Sequence, residues 1–304
     1  MEAKIVVQNL TKRYGPVTAL DRVSFSVGAG EIFGILGVNG AGKTTTLECL
    51  SGLREPDDGS IAIGGLEPRR HLRAVRAKIG VVLPVLALPE QVTAGEAVRL
   101  FATWRGDRRE TRDLLGRFGL AAQADARAGQ LSQGQRQRLN LALACLGEPE
   151  VMLLDEPSNG LDPQARHELQ EEILRMKREG RAVVLATHLL DEAERLCDRV
   201  AILDRGRILA EGSPAELAAR AGRRQRVRLE ADRPVPPETW RGIPAIEDAT
   251  AEGSVVTFAA SSVAATLGAL LPRLAERGIE VRALEARPAT LEESFLRLTG
   301  TDAG

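Results

Sequence analysis

The chain has 304 residues, and its 41 Lys and Arg against 42 Asp and Glu leave a formal net charge of −1. That length accommodates one large domain and one small one, and the near balance of charge argues against a nucleic-acid binder relying on a general positive field. With 43% hydrophobic and 27% charged residues the composition is that of an ordinary globular protein.

The first residues, Met1, Glu2, Ala3, Lys4 and Ile5, hold no apolar signal-peptide core, so no secretory leader is expected. From Ile5 to about Arg220 short apolar runs alternate with helical patterns, the habit of an α/β domain. The run Ile32–Leu36 is continuously apolar apart from one glycine, as a buried parallel strand requires. It leads into Gly37, Val38, Asn39, Gly40, Ala41, Gly42, Lys43 and Thr44, which match the phosphate-loop pattern G-x-x-x-x-G-K-[ST], and a helix follows through Leu50. The glycines let backbone N–H groups close on a phosphate. Lys43 brings positive charge to the β- and γ-phosphates, and the Thr44 hydroxyl can ligate Mg²⁺.

Between residues 104 and 131 the chain turns rich in Arg, Asp and Ala and reads as helical, a subdomain inserted between sheet elements and assigned to about 85–145. At its end Leu131, Ser132, Gln133, Gly134 and Gln135 precede a helix with Leu139, Leu143 and Leu146 on its apolar face. Ser132 and the Gly134 backbone would lie at that helix's N-terminus, where free N–H groups favour an anion; alone, the pattern reads as an N-cap with a flexible glycine. The next apolar strand, Val151–Asp155, delivers two carboxylates, Asp155 and Glu156, at its C-terminal end, where open α/β sheets bind ligands. Asp155 is placed to hold Mg²⁺ and Glu156 to accept a proton from an attacking water. The bland alternative, a solvated acidic turn before Pro157, loses weight beside a phosphate loop. Ala182–Thr187 reads as a further buried strand, and 200–203 with 208–210 as a hairpin.

Composition shifts near Ala221. Arg223, Arg224, Arg226 and Arg228 form a basic patch, and Arg233, Pro234, Val235, Pro236 and Pro237 a stiff connector. The domains expected are 1–221 and a small α/β domain at 222–304. Residues 253–272 carry no charge and are long enough to span a membrane. They read instead as a strand at 255–258, a Ser cap, and a helix with Val263, Leu267, Leu270, Leu271 and Leu274 inward. Thr290 and Glu293 have capping-box spacing for a last helix. Cys49, Cys145 and Cys197 lack metal-ligand or redox spacing and are expected as buried thiols.

Taken together, the phosphate loop, Leu131 to Gln135, the strand ending in Asp155 and Glu156, then Gly160, Leu161 and Asp162, then Thr187 and His188 resemble an ATP-binding cassette (ABC) ATPase over roughly 4–220. The resemblance implies a mixed sheet core with a helical subdomain, ATP and Mg²⁺ as cofactors, and hydrolysis using Glu156, His188 and Lys43. It implies that Tyr14 stacks on adenine and that Gly37, Asn39, Gly40, Gly42, Lys43, Thr44 and Thr45 hold the phosphates, with Thr44 and Asp155 on the metal. Ser132, Gly134 and Gln135 would contact ATP on a second cassette, Asp162 would lie in the loop linking the two sites, and His188 would sense the γ-phosphate. A dimer follows, with itself or with a second cassette, peripheral on the cytoplasmic face of the membrane through a permease. The segments 187–200 and 288–300 are similar to daunorubicin-resistance-type exporter ATPases, which pair with ABC-2-type permeases; the transported substrate would be drug-like or lipid-like.

Two positions depart from that family: Gln133 stands for a commoner glycine, and Pro84 for a glutamine that touches the metal and the attacking water. Proline supplies no such group, so hydrolysis is weakened or water fills the contact. The rival readings are a non-transport ABC ATPase and a weakly hydrolysing ATP-dependent switch. A single phosphate loop argues against a two-cassette translation factor, and the interval from Lys43 to Ser132 has no room for a repair ATPase's coiled coil.

Overall fold

The computed structural model describes residues 3–83, 88–107, 109–220, 225–243, 246–287 and 290–300. Pro84 therefore lies outside the described residues, as do Ala221, Arg223, Arg224 and Pro288. The chain divides into two compact units, Met1–Ser213 and Pro214–Gly304.

In the first unit, β1 (Ala3–Tyr14) and β2 (Val17–Gly28) form a long antiparallel hairpin. Then come β3 (Ile32–Leu36), α1 (Lys43–Leu50), β4 (Asp58–Ile63), α2 (Pro68–Lys78) and β5 (Ile79–Val82). Three helices follow, α3 (Ala94–Arg105), α4 (Thr111–Arg117) and α5 (Gln133–Ala144), inserted between β5 and the next strand of the sheet. The unit closes with β6 (Val151–Asp155), α6 (Pro163–Arg178), β7 (Ala182–Thr187), α7 (Leu190–Leu196), β8 (Arg199–Asp204) and β9 (Arg207–Gly212). Two sheets result: an antiparallel β2-β1-β4 and a six-stranded β5-β6-β7-β3-β8-β9. The larger is parallel except for β9, which returns as a hairpin from β8.

Every residue of β3, β6 and β7 is buried, because α1 and the antiparallel sheet cover one face and α6 and α7 the other, leaving no polar side to alternate with. Phe25 of β2 stacks on Phe33 of β3 with ring centroids 4.9 Å apart, joining the two sheets. Burying each ring contributes about 1.5–3 kcal/mol. The helical insertion is tied to the sheet by Arg105, whose guanidinium donates to the carbonyls of Arg76, Ile79 and Leu146 at 2.5, 2.5 and 3.1 Å. Asp107 accepts from the Gly147 N–H at 2.7 Å and from Arg109, which holds the Asp107 carboxyl well below the usual carboxylate range.

The second unit begins with α8 (Pro214–Arg220), which packs against the last helix, α10 (Leu291–Thr299). Between them lie β10 (Gln225–Ala231), β11 (Ile246–Glu252), β12 (Val255–Ala260), α9 (Val263–Glu276) and β13 (Val281–Arg287), forming an antiparallel sheet in the order β11-β12-β10-β13. Val227, Leu229, Val256 and Phe258 alternate inward beneath Leu270 and Leu274 of α9. Ser262 caps α9, accepting from the Ala265 N–H. Leu271, expected inward, is exposed; Thr266 takes the buried place because α9 presents a narrower stripe to the sheet than the run of leucines suggests. Val235 is buried in this core, so the proline-rich stretch packs within the unit. Thr290 caps α10 from the Glu293 N–H, while the Glu293 carboxylate pairs with Arg226 at 3.3 Å. All three cysteines are free and buried. Among the described residues no helix is long and apolar enough to cross a membrane.

Candidate active site

Parallel register brings three loops to one edge of the large sheet. Leu36 lies opposite both Thr187 and Ile202, and Asp155 opposite Ala186, so β3, β6 and β7 end side by side. Residues 37–42, 156–162 and 188 leave from those ends.

The loop after β3 is built on glycine for steric reasons. A Cβ on Gly37 would stand 2.4 Å from the Leu203 carbonyl oxygen, and one on Gly42 2.7 Å from that of Ala19. Gly40 and Gly42 also take φ of +82° and +112°, in the region that favours glycine. Gly42 then N-caps α1 with no side-chain bond, leaving the first N–H groups of that helix pointing out of the loop. Lys43, only 5% exposed, folds back so that Nζ donates to the carbonyls of Gly37 and Val38 at 2.8 and 3.2 Å. Asn39 and Thr44 are exposed and Thr45 is half-buried at the same loop, while buried Thr46 donates to the Gly42 carbonyl.

Asp155 and Glu156 have different surroundings. Asp155 is 1% exposed, and neither carboxylate oxygen has a hydrogen-bond partner among the described residues. Burial pushes its carboxyl above the usual range, opposed by the nearby Thr44 hydroxyl and the Lys43 charge and reinforced by Glu156. Glu156 is more open and has φ of +46°, a left-handed conformation that costs a non-glycine residue about 1–2 kcal/mol. Its N–H donates to the Ala186 carbonyl at 2.9 Å, which holds the turn against β7. One carboxylate oxygen, Oε1, lies 3.4 Å from Lys43 Nζ and 3.2 Å from His188 Nδ1. The other, Oε2, accepts from Asn159 Nδ2 at 3.4 Å. The sequence motifs thus converge: Lys43, Thr44, Asp155, Glu156 and His188, spread over about half the chain, meet at one sheet edge.

The remaining candidates sit elsewhere. Ser132 N-caps α5 in a complete capping box, its Oγ accepting from the Gln135 N–H and the Gln135 side chain accepting from the Ser132 N–H. Asp162 N-caps α6, accepting from Ala165 N–H at 2.9 Å. Tyr14, 40% exposed at the end of β1, is flanked by Lys12 and Arg54 at 5.7 and 5.9 Å from its ring centre. Sequence reasoning passed over Asn159 and also Glu192, which is buried on α7 and accepts a hydrogen bond from Ser158. Burial raises the Glu192 carboxyl, opposed by Ser158 and Thr187 and reinforced by Asp191. Its available signal was position: Glu192 falls one helical turn before Leu196, on the inward face.

The donor set fits a nucleotide and its metal. The 37–42 loop is packed so closely on Leu203 and Ala19 that only glycine fits at 37 and 42, and the loop backbone itself is left to face a phosphate. Asp155 is a buried, unpartnered carboxylate beside a hydroxyl, and no group of three or more metal-ligating side chains occurs among the described residues. One carboxylate plus a hydroxyl is what Mg²⁺ uses when phosphates and water complete its shell.

A phosphate loop at the edge of a parallel sheet, with a carboxylate pair at the end of β6, which β7 separates from β3, defines a P-loop nucleoside-triphosphatase. The family model described as "ABC transporter" matches residues 20–159. The chain is 38% identical to the Nod factor export ATP-binding protein I of Paraburkholderia xenovorans, over 99% of this chain and 98% of that protein. It is 37% identical to the daunorubicin resistance ATP-binding protein DrrA3 of Streptomyces coeruleorubidus, over 99% and 97%. Among solved structures it is similar to the ATP-binding subunit of an ABC transporter, with a TM-score of 0.65 and 33% identity over 71% of this chain and 92% of that one. It also resembles the dimeric cassette MJ0796, with a TM-score of 0.63 and 27% identity over 69% and 98%. The chain belongs to the ATP-binding subunits of ABC transporters, the cassette ATPases.

Proposed function

We propose that this cassette powers export through separate membrane subunits of the ABC-2 type, with Glu156 as the base that activates water. The observation that carries the reading is the Glu156 carboxylate, set 3.4 Å from Lys43 Nζ and 3.2 Å from His188 Nδ1 at the mouth of the phosphate loop. In this reading the 37–42 backbone, Lys43, Thr44 and Thr45 bind the phosphates, and Tyr14 faces the adenine. Thr44 and Asp155 hold Mg²⁺, which neutralises phosphate charge. Lys43 stabilises negative charge, Glu156 takes the water's proton, and His188 senses the γ-phosphate. Ser132, Gly134 and Gln135 meet nucleotide bound to a second cassette, and Asp162 lies between the sites. ATP then joins the halves, and its hydrolysis releases them, a ligand-biased two-state element able to drive a partner.

Export is supported by the named functions of the relatives, Nod factor export and daunorubicin resistance. A membrane partner is supported by an open apolar groove of about 510 Å³ whose lining includes Leu83, Leu88, Phe101 and Trp104, the last 74% exposed. The second unit, Pro214–Gly304, is read as an accessory domain of the transporter.

The Glu156→Gln protein tests this. It is expected to bind ATP, to lose about 10²–10⁴-fold in kcat, and to run as a dimer in size-exclusion chromatography only with ATP. Adding Ser132→Arg is expected to abolish the dimer. Normal turnover in Glu156→Gln would remove the assigned base, and a dimer indifferent to ATP would remove the shared site.

A further inference from the structure

Gln133, the residue that departs from the family's glycine, has a specific place. Its Nε2 donates to the Asn159 carbonyl at 3.3 Å. A Cβ on Gly160 would stand 2.4 Å from the same nitrogen, so glycine at 160, with φ of +71°, is what leaves room for the amide. The Asn159 side chain in turn donates from Nδ2 to Glu156 Oε2 at 3.4 Å. The two ends of this path are firmly seated. Around Gln133, a Cβ on Gly134 would meet Ala165 at 2.9 Å, and Arg138 of α5 pairs with Glu168 of α6 at 3.2 Å. On the far side of the turn, buried Ser158 donates to Glu192 of α7.

We propose that Gln133 and Asn159 are positioning residues for Glu156, forming a relay from the turn that opens α5 to one oxygen of the carboxylate. The proposal rests on the reading of Glu156 as the base. Lys43 and His188 both draw on Oε1, and without a donor on Oε2 the carboxylate can rotate toward either. The Asn159 amide fixes that rotation, and Gln133 fixes the backbone that presents Asn159. The turn that opens α5 is also where the second cassette's nucleotide is read to bind, so the relay connects occupation of that turn with the aim of the base in the same chain. Both amides are exposed, and hydrogen bonds of this kind contribute modestly. Breaking either link is expected to lower kcat roughly two- to tenfold.

The test uses the full chain and MgATP hydrolysis. Gln133→Glu keeps the volume and removes the donor; Gln133→Gly removes the side chain; Asn159→Ala removes the second link. Each is expected to lower kcat by that factor while KM for MgATP and the thermal unfolding midpoint stay at the wild-type values. Because the links act in series, Gln133→Glu combined with Asn159→Ala is expected to lose no more than Asn159→Ala alone. A wild-type kcat in Gln133→Glu overturns the proposal, as do losses that multiply in the double variant or a change confined to KM. These outcomes leave the base assignment standing so long as Glu156→Gln is inactive. Normal hydrolysis by Glu156→Gln overturns both.

Discussion

The two units use their sheets in opposite ways. In the first, β3, β6 and β7 are buried on both faces, and the polar groups of the site stand at their ends. There Asp155 keeps two unpartnered carboxylate oxygens, Lys43 is nearly enclosed, and Glu156 holds a left-handed backbone. In the second, β10 and β12 alternate buried residues with partly or fully exposed ones, and among its described residues the buried side-chain atoms without partners are only the hydroxyls of Thr239 and Thr266. Asp248, the one non-glycine residue at positive φ described in this unit, sits in an exposed irregularity of β11, where aspartate tolerates it. Both kinds of cost occur elsewhere in the first unit too, as at Arg22, Glu148 and Arg181, but a buried partnerless carboxylate and a left-handed acidic residue stand side by side at Asp155 and Glu156, where the surrounding fold over-determines them.

The strongest way to break this contrast is to remove a core side chain from each sheet. Phe258→Ala empties the centre of the second unit's core and is expected to lower that unit's stability by about 3–5 kcal/mol, with nucleotide binding retained. Leu153→Ala in β6 is expected to lose about 2–5 kcal/mol and to reduce turnover as well, since β6 carries Asp155 and Glu156. Denaturant unfolding and ATP hydrolysis, measured on both proteins, check the difference. Equal losses of turnover would show that the second unit supports the site.

A smaller effect with opposite sign is expected at the strand end. Asp155→Asn removes a buried charge whose burial outweighs the help of the Thr44 hydroxyl and the Lys43 charge, and it is expected to raise stability by about 1–3 kcal/mol while stopping Mg²⁺-dependent hydrolysis. A stabilised, inactive protein in thermal unfolding and ATPase assays is the expected result; an Asp155→Asn protein less stable than its parent would mean that the carboxylate is structurally compensated.

The smallest effect is one of pH. Burial holds the Glu192 carboxyl above its ordinary value of 4.5, so between 4.5 and the raised value the folded chain binds a proton more readily than the unfolded chain. Its contribution to stability is complete below 4.5 and is lost as pH rises through that window. Glu192→Gln keeps an acceptor for Ser158 and is expected to flatten this part of the stability profile. An unchanged slope in urea titrations across the window would place the carboxyl's titration elsewhere.

Much of the first unit was legible along the chain. Continuous apolar runs predicted β3, β6 and β7, and the motif spacing named the residues that meet at their ends. The hairpin of β1 and β2 was not legible as a separate antiparallel sheet, because its strands carry several register shifts that blur the alternation. Nor was β11, whose residues are mostly exposed, so that neither burial nor period marks it. The α9 stripe was misjudged at Leu271 for a related reason: the helix bears more leucines than the sheet beneath it can cover.

The sequence by itself determined which residue types stand at each strand end, because buried strands and glycine-bound loops are local demands of burial and sterics. Only the tertiary structure decided how they are joined. Parallel register set Asp155 beside Ala186 and Leu36 beside Thr187, bringing Glu156 within reach of Lys43 and His188. It also carried Gln133 across to Asn159, a contact between turns 26 residues apart. Such contacts depend on where helices and strands end in space, and no periodicity along the chain records that.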